Sequence, residues 1–351
     1  MSPRLRTVGV VGGLAGVVVA GAAAGAAGLL RRRSRRPPPE EPFGELPAEN
    51  GSAVVVDDGV TLWVEHTAPA PLTVVFCHGF ALDMRMWYFQ RRDLPKLVGD
   101  ELAVVCYDHR SHGRSGHSSR RSSTIEQLGH DLGAVLDATL PEGAIVLVGH
   151  SMGAMTIMAL AEQRPELFAR RVVGVALLCT SAGDLGSLSL ARPFLSERSK
   201  LTAFGAMAAA RRPEIVEWGR RLTAPVVRPL IRRFGFGDGP VDPEVADLAD
   251  RMIAATSIEV LTDFARTLGE HDRYRALSGL RHCHVLVMGG DADRLTPYSH
   301  TEAMAAQLPD AELVRIPGAG HLAMLEQPEF VNEHLAELLR RTLDTNKASR
   351  R

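Results

Sequence analysis

The sequence predicts an α/β protein whose mostly parallel, twisted sheet is flanked by helices and interrupted by an inserted all-helical cap. Three observations predict this class. Short apolar runs recur between residues 51 and 343 and alternate with segments of helical spacing, as expected of strands covered on both faces. The alternation stops between residues 184 and 277, where helical patterns follow one another without a strand. Several apolar runs end in Gly-rich loops that carry polar side chains.

Composition limits the classes of function. The chain has 351 residues, of which 45% are hydrophobic, so it can bury a sizeable core and is not disordered as a whole. Its formal net charge of −1 provides no basic field of the kind that binds nucleic acid. The sequence has no zinc-type Cys/His spacing, P-loop or EF-hand pattern. We therefore expect no metal, no cofactor and no nucleic-acid partner.

The four cysteines favour a reducing compartment. Each lies in or beside an apolar run, where a free cysteine behaves as a small hydrophobic residue. A disulfide framework would place cysteines closer together and in loops. They are Cys77, Cys106, Cys179 and Cys283.

The N-terminus predicts a membrane anchor. Residues 8–30 carry no polar or charged side chain, and a helix of that length can cross a bilayer core of about 30 Å. The segment is rich in Gly and Ala, which makes it a weak span. Arginines are more numerous after it than before it, so the remainder of the chain should be cytoplasmic. Residues 1–36 are thus a predicted anchor with a basic flank. The alternatives are a cleaved signal peptide, which implies a secreted protein, and a low-complexity tail.

The predicted core has two parts, residues 51–183 and 278–343, after a Pro-containing acidic linker at 37–50 and before a tail at 344–351. It opens with a hairpin, because two apolar runs flank Asp57-Asp58-Gly59. Six continuous apolar runs follow, and each predicts a buried strand: 72–77, 102–107, 145–148, 172–179, 285–288 and 313–316.

Residues 184–277 are predicted to be a cap over the carboxyl-end face of the sheet, where ligands bind in open α/β folds. Its helices include 213–234 and 245–268. We interpret its Arg-rich first half as a solvated helical face, with contact to an anionic membrane as the alternative. The apolar side chains expected to select the ligand by size are Phe194, Phe204, Met207, Trp218 and Met252.

One turn carries a candidate nucleophile. The strand-like run before Gly149 is followed by Ser151 and then by residues of helical spacing. Such a strand-to-helix turn lifts the serine clear of the sheet, and the small residues Gly149 and Gly153 allow the close chain approach that it requires. Ser151 would need a base to remove its proton and N–H donors for the oxyanion.

His321 is the candidate base among thirteen histidines. It follows the last strand-like run on a Gly-rich loop, which places it at the carboxyl end of the sheet. His150 lies next to the nucleophile, but adjacent side chains on a tight turn point in different directions. Three other histidines are expected to face solvent because their surroundings are polar: His112, His117 and His130.

The base needs a carboxylate that holds its tautomer. Asp291 and Asp293 follow the next-to-last strand and Asp184 follows the strand before it, and the pattern alone does not rank the three. The expected oxyanion donors are the backbone N–H groups of Met152, directly after the nucleophile, and of Phe80, on the loop after the first long parallel strand.

These motifs together resemble the α/β-hydrolase fold family over residues 50–343. The similar segments, in order, are His78-Gly79-Phe80 with its oxyanion-loop glycine Gly79, Asp108 to Ser115, the Gly149 to Gly153 elbow, Asp293-x-Leu295-x-Pro297, and Gly318 to His321. The resemblance implies Asp293 as the acid, because the family's aspartate lies four residues before the loop proline. Ser111 and Ala154 depart from it, since both positions are commonly glycine. The dehalogenases and epoxide hydrolases of this fold use an aspartate nucleophile, so Ser151 argues against both.

The resemblance implies a serine hydrolase that cleaves a carboxylic ester through an acyl-enzyme, with a small-molecule ester or lipid-like substrate. The same triad serves carbon–carbon bond hydrolases and cofactor-free perhydrolases, which are the alternative enzyme classes. A non-catalytic binding protein that keeps the fold is the third hypothesis. The fold does not identify the substrate.

Overall fold

A computed structural model of the chain describes residues 43–46, 50–140, 142–185 and 232–349. The predicted N-terminal anchor, most of the linker and the cap side chains at 194, 204, 207 and 218 lie outside these residues. Within the described ranges, no helix is long and apolar enough to cross a bilayer.

The described residues form an eight-stranded sheet with the order β1-β2-β4-β3-β5-β6-β7-β8. Its strands are β1 (Asn50–Val55), β2 (Thr61–His66), β3 (Leu72–Cys77), β4 (Leu102–Tyr107), β5 (Ala144–His150), β6 (Val172–Leu178), β7 (His284–Gly290) and β8 (Glu312–Ile316). β1 and β2 form the predicted hairpin, and β2 is also antiparallel to β4. The other neighbouring pairs are parallel, so the prediction of a mostly parallel sheet with an antiparallel entry is confirmed.

Helices flank the sheet. They are α1 (Tyr88–Val98), preceded by a 3₁₀ turn at Met84–Trp87, α2 (Ile125–Thr139), α3 (Met152–Gln163), α4 (Pro165–Arg170), α5 (Pro243–Ala255), α6 (Ile258–Gly269), a 3₁₀ segment at Tyr274–His282, α7 (Tyr298–Ala306), α8 (Ala323–Glu326) and α9 (Pro328–Ser349). The helix predicted at 245–268 is two helices, α5 and α6. Ser257 separates them because its hydroxyl accepts the N–H of Val260 and caps the second helix.

Alternate residues of β3 enter two separate cores. Leu72, Val74 and Phe76 belong to a core shared with α1 and α9, whereas Val75 and Cys77 belong to a core shared with α2 and α3. Because each face of the sheet is covered, its central strands are the continuous apolar runs seen in the sequence. The four cysteines are free thiols, three of them buried and Cys283 half-buried.

The cap is inserted between two strands that are direct neighbours in the sheet. β6 and β7 pair in parallel from Gly174 with His284 to Leu178 with Met288. The insertion therefore leaves the sheet at the carboxyl end of β6, and the chain re-enters it at the amino end of the neighbouring strand β7. Its returning segment at 235–237 packs against the loop of residues 318–322, where Leu322 donates its N–H to Gly235 O at 2.7 Å.

Candidate active site

The turn between β5 and α3 holds Ser151 in a rarely adopted conformation. Its φ of +50° and ψ of −117° lie outside the regions that residues with a side chain favour. The Ser151 side chain is half-exposed and makes no capping bond to α3. A side chain on Gly149 would come within 2.5 Å of the Ala154 nitrogen, and one on Gly153 would overlap the Cys77 carbonyl oxygen. The turn therefore requires both glycines.

His321 and Asp293 lie side by side beyond the carboxyl ends of β8 and β7, and both are buried. His321 Nδ1 donates to Asp293 Oδ2 at 2.8 Å. Asp293 Oδ1 accepts the backbone N–H groups of Leu295 and Thr296 at 2.8 and 2.9 Å, and the Thr296 hydroxyl donates to Oδ2 at 2.8 Å. Four donors thus fix the carboxylate.

The electrostatics of this pair suit proton transfer. Burial alone would raise the pKa of Asp293, but His321 and the hydrogen bonds from Thr296 hold that pKa below its usual value. An ionised carboxylate at Nδ1 keeps the imidazole proton there and leaves Nε2 as the acceptor. Nε2 has no hydrogen-bond partner among the described residues. The pair can therefore act as an oriented base.

The other two candidate acids do not contact His321. Asp291 is exposed, and its Oδ1 accepts the N–H of Gly318 at 2.6 Å, so it bonds the loop that carries His321 rather than the imidazole. Asp184 is exposed and has φ +62° in the chain that follows β6. Of the three carboxylates, Asp293 is the one that the structure brings to His321.

His150 joins the elbow to the loop of His321, a role that the sequence reasoning did not give it. Its Nε2 donates to the carbonyl oxygen of His321 at 2.9 Å, and the two rings lie 4.7 Å apart between centroids. Burial holds the pKa of His150 well below its usual value, so the ring is neutral. A side chain on Gly79 would overlap His150 Nδ1, so the loop after β3 also needs a glycine where it passes the elbow.

Glu326 is a second group that the sequence reasoning missed. Its carboxylate accepts the N–H of Gly320, directly before the base, at 2.9 Å. It also accepts the N–H of Gly237, in the returning segment of the cap, at 3.1 Å. Its position five residues after His321 was the available signal, but a single sequence does not distinguish it from a surface glutamate.

The predicted oxyanion donors lie on the two loops that meet here. Met152 is the first residue of α3, so its N–H is one of the free donors at the helix N-terminus. Phe80 follows Gly79 on the loop after β3. In the part of the chain that the structure describes, its N–H donates to no protein acceptor. Both donors are thus available to a ligand.

The structure corrects the expectation that His112 faces solvent. This ring is buried; its Nε2 accepts the N–H of Ala81 at 3.2 Å, and its Nδ1 donates to Arg110 O at 2.9 Å. The polar composition of this loop was misleading because the side chain of Arg110 is buried, in ion pairs with Asp58 and Asp131. His117 and His130 are exposed, as expected.

Ser111, on the same loop, has φ +64°, a conformation that favours glycine. A glycine would adopt this conformation without strain. The serine is held there because its hydroxyl accepts the N–H of Ser118 at 2.9 Å.

An apolar wall lies beside the elbow and joins α3 to the cap helix α6. It includes Phe80, Met152, Met155, Leu185, Val260 and Phe264. Met252, which was expected to select the ligand, does not belong to this wall. It packs instead in the core shared by β3, α1 and α9. The apolar face of α5 points into that core, at the spacing of Val245, Leu248, Ala249 and Met252.

Comparisons with known proteins find hydrolases of similar sequence and similar fold. A family model described as the alpha/beta hydrolase family matches residues 74–334. The chain is 28% identical to the uncharacterized hydrolase YugF of Bacillus subtilis, over 81% of this chain and 96% of that protein. A thermophilic esterase of known structure from Thermogutta terrifontis is 27% identical with a TM-score of 0.64, over 84% of this chain and 99% of the other.

A second solved structure is Est816, described as an N-acyl homoserine lactone degrading enzyme. It is 25% identical with a TM-score of 0.61, over 81% of this chain and 98% of the other. The residues matched by the family model include the elbow and the loops that carry Asp293 and His321.

Proposed function

The chain belongs to the alpha/beta hydrolase family, and we propose that it is a serine hydrolase that cleaves a carboxylic ester through an acyl-enzyme. The observation that carries the proposal is the hydrogen-bonded pair of Asp293 and His321, whose loop is bonded to the elbow of Ser151 through His150. In the proposed roles, Ser151 is the nucleophile, Asp293 the acid and His321 the base, and they follow one another in the chain order typical of the family.

The proposed reaction proceeds in two halves. His321 Nε2 takes the hydroxyl proton of Ser151 as Oγ attacks the ester carbonyl carbon, and Asp293 stabilises the imidazolium. The N–H groups of Phe80 and Met152 hold the oxyanion. His321 then returns the proton to the alcohol oxygen as the C–O bond breaks. In the second half, water replaces the serine hydroxyl as the nucleophile, releases the acid and restores Ser151.

The apolar wall supports an uncharged acyl group, from a small-molecule ester or a lipid-like substrate. Phe80 and Met152 supply both the proposed oxyanion N–H groups and part of this wall. An acyl chain packed on this wall would therefore be removed from solvent next to the point where its carbonyl oxygen meets the two N–H groups. In an apolar acyl site one methylene changes the transition-state energy by about 1–3 kcal/mol, so the wall would rank esters by acyl length.

The test combines turnover with covalent labelling. Purified protein is assayed with p-nitrophenyl esters of graded chain length and with lactones, and is treated with a fluorophosphonate probe. Ser151→Ala should lose both turnover and labelling, whereas Ser119→Ala, at an exposed serine, should keep both. Turnover retained by Ser151→Ala would refute the proposal. Labelling without ester turnover would favour a carbon–carbon bond hydrolase or perhydrolase, and neither signal would favour a binding protein.

The subcellular location is a separate proposal that rests on the sequence. We propose that residues 8–30 tether the enzyme to a membrane, with the catalytic domain on the cytoplasmic side. The full chain should then stay in the membrane fraction at high salt, because salt does not screen the burial of an apolar helix. A shortened chain recovered outside the cell, with a new N-terminus between Ala24 and Arg31, would indicate a secreted enzyme instead.

A further inference from the structure

Two loops at the carboxyl edge of the sheet are linked by histidine side chains. The loop of residues 78–84 follows β3 and carries Phe80, and the loop of residues 108–115 follows β4, the parallel neighbour of β3. The backbone N–H of His109 donates to His78 Nε2 at 2.9 Å, and His109 Nε2 donates back to His78 O at 3.1 Å. The N–H of Ala81 donates to His112 Nε2 at 3.2 Å. The second loop thus fixes the first through side chains.

The His78 ring controls the direction of the Phe80 N–H. Because a peptide unit is planar and trans, the carbonyl of Gly79 and the N–H of Phe80 point in opposite directions. Gly79 O accepts two hydrogen bonds, from His78 Nδ1 at 2.8 Å and from the N–H of Leu82 at 3.2 Å. Holding that oxygen aims the N–H of Phe80 away from it. His78 can donate from Nδ1 because its Nε2 is occupied as an acceptor by the N–H of His109.

The His112 ring fixes the next peptide unit. Ala81 has φ +60°, a conformation that a residue with a side chain adopts only when its surroundings hold it there. Its N–H is held by His112 Nε2, and the donor bond from His112 Nδ1 to Arg110 O sets the tautomer that makes Nε2 an acceptor. The ring is enclosed by Phe80 and by Phe264 of α6, at centroid distances of 6.2 and 5.5 Å.

We propose that His78 and His112 are positioning residues that hold the Gly79–Phe80 and Phe80–Ala81 peptides in the orientation required to bind the oxyanion. This inference rests on the proposed ester hydrolysis and adds two residues to it. Both rings act as neutral imidazoles, since each uses one nitrogen as an acceptor and the other as a donor. Burial lowers the pKa of His78 to about 3 and that of His112 to about 4, so neither ring is protonated near neutral pH.

Variants at position 112 separate hydrogen bonding from packing. His112→Phe keeps an aromatic ring between Phe80 and Phe264 but removes the acceptor for Ala81. His112→Gln keeps an acceptor near the position of Nε2. We expect His112→Phe to lower kcat about 10-fold to 100-fold, less than the loss of a whole oxyanion donor, with KM changed less than about twofold. His112→Gln should recover most of this loss. His117→Gln, at an exposed histidine two residues beyond this loop, should match the wild type.

A parallel pair at position 78 tests the other bond. His78→Asn keeps a donor for Gly79 O and should retain more activity than His78→Leu, which has none. All rates are normalised by active-site titration with the fluorophosphonate probe, so a variant that partly fails to fold still yields a rate per active site.

The decisive readout is the affinity for a trifluoromethyl ketone, whose tetrahedral adduct places a negatively charged oxygen at the oxyanion donors. This affinity should fall in His112→Phe by the same factor as kcat and return in His112→Gln. If the rate per active site and this affinity are both unchanged in His112→Phe and in His78→Leu, the inference is wrong. Wild-type turnover of esters tests the proposed function independently, because the inference concerns only the ratio of variant to wild type.

Discussion

Replacing Asp293 with asparagine would reverse one hydrogen bond of the proposed triad. Asp293 Oδ1 accepts two backbone N–H groups, from Leu295 and Thr296, and Oδ2 accepts from His321 Nδ1. An asparagine must place its oxygen on the two backbone donors, because its NH₂ group there would face two N–H groups. The NH₂ group is then directed at His321 Nδ1, which has to accept, so the imidazole proton moves to Nε2.

An imidazole with its proton on Nε2 cannot accept the proton of Ser151. The expected loss in kcat/KM is about 10⁴-fold, equivalent to about 5 kcal/mol of transition-state stabilisation. The protein should remain folded, because the asparagine keeps the two backbone bonds and the volume of the aspartate.

The measurement is the hydrolysis of p-nitrophenyl esters by Asp293→Asn, with Asp291→Asn as the matched control. Asp291 lies on the same loop, is exposed and bonds Gly318, so its variant should stay within about threefold of the wild type. Near-wild-type turnover by Asp293→Asn, or an equal loss in Asp291→Asn or Asp184→Asn, would refute the assignment of the acid.

Three further predictions follow from the packing. Ser151→Gly should raise the free energy of unfolding in urea by about 1 kcal/mol while abolishing turnover, because glycine adopts the positive φ without strain; no gain relative to Ser151→Ala would contradict this. Arg110→Met should lower the free energy of unfolding in urea by about 3–5 kcal/mol, because it leaves the carboxylate of Asp131 buried without its partner. Adding Asp131→Leu should restore part of this stability, and a larger loss in the double variant would contradict the prediction. Phe264→Ala should shift the preferred ester towards longer acyl chains, whereas an equal loss for every ester would assign the ring a purely structural role.

The strands could be predicted closely because their pattern is local. β3 and β4 begin and end at the residues that bound their apolar runs, since both faces of these central strands are covered. The loops of Ser151 and His321 were predictable for a related reason: glycines cluster where chain segments approach closely, and that requirement is visible in a short window.

The burial of polar side chains could not be predicted in the same way, because it depends on partners distant in sequence. The acceptor role of His112 depends on Ala81, 31 residues earlier, and Arg110 is buried by an aspartate 52 residues earlier and another 21 residues later. A short sequence window shows only a polar, positively charged loop. The same limit applies to Met252. The spacing of its helix identifies an apolar face, but it does not show against which of the cores that face packs.

The attachment of the cap at two adjacent strands has an evolutionary consequence. The chain leaves the sheet after Leu178 and re-enters it at His284, and the parallel pairing of the two strands fixes both points, whatever lies between them. Closing a longer loop between fixed ends costs little additional entropy, so insertions and deletions there change the stability of the sheet only slightly. The contacts of Glu326 with Gly320 and Gly237 mark where an exchanged cap would have to fit. Grafting a relative's cap between these strands should therefore transfer acyl preference without rebuilding the catalytic frame.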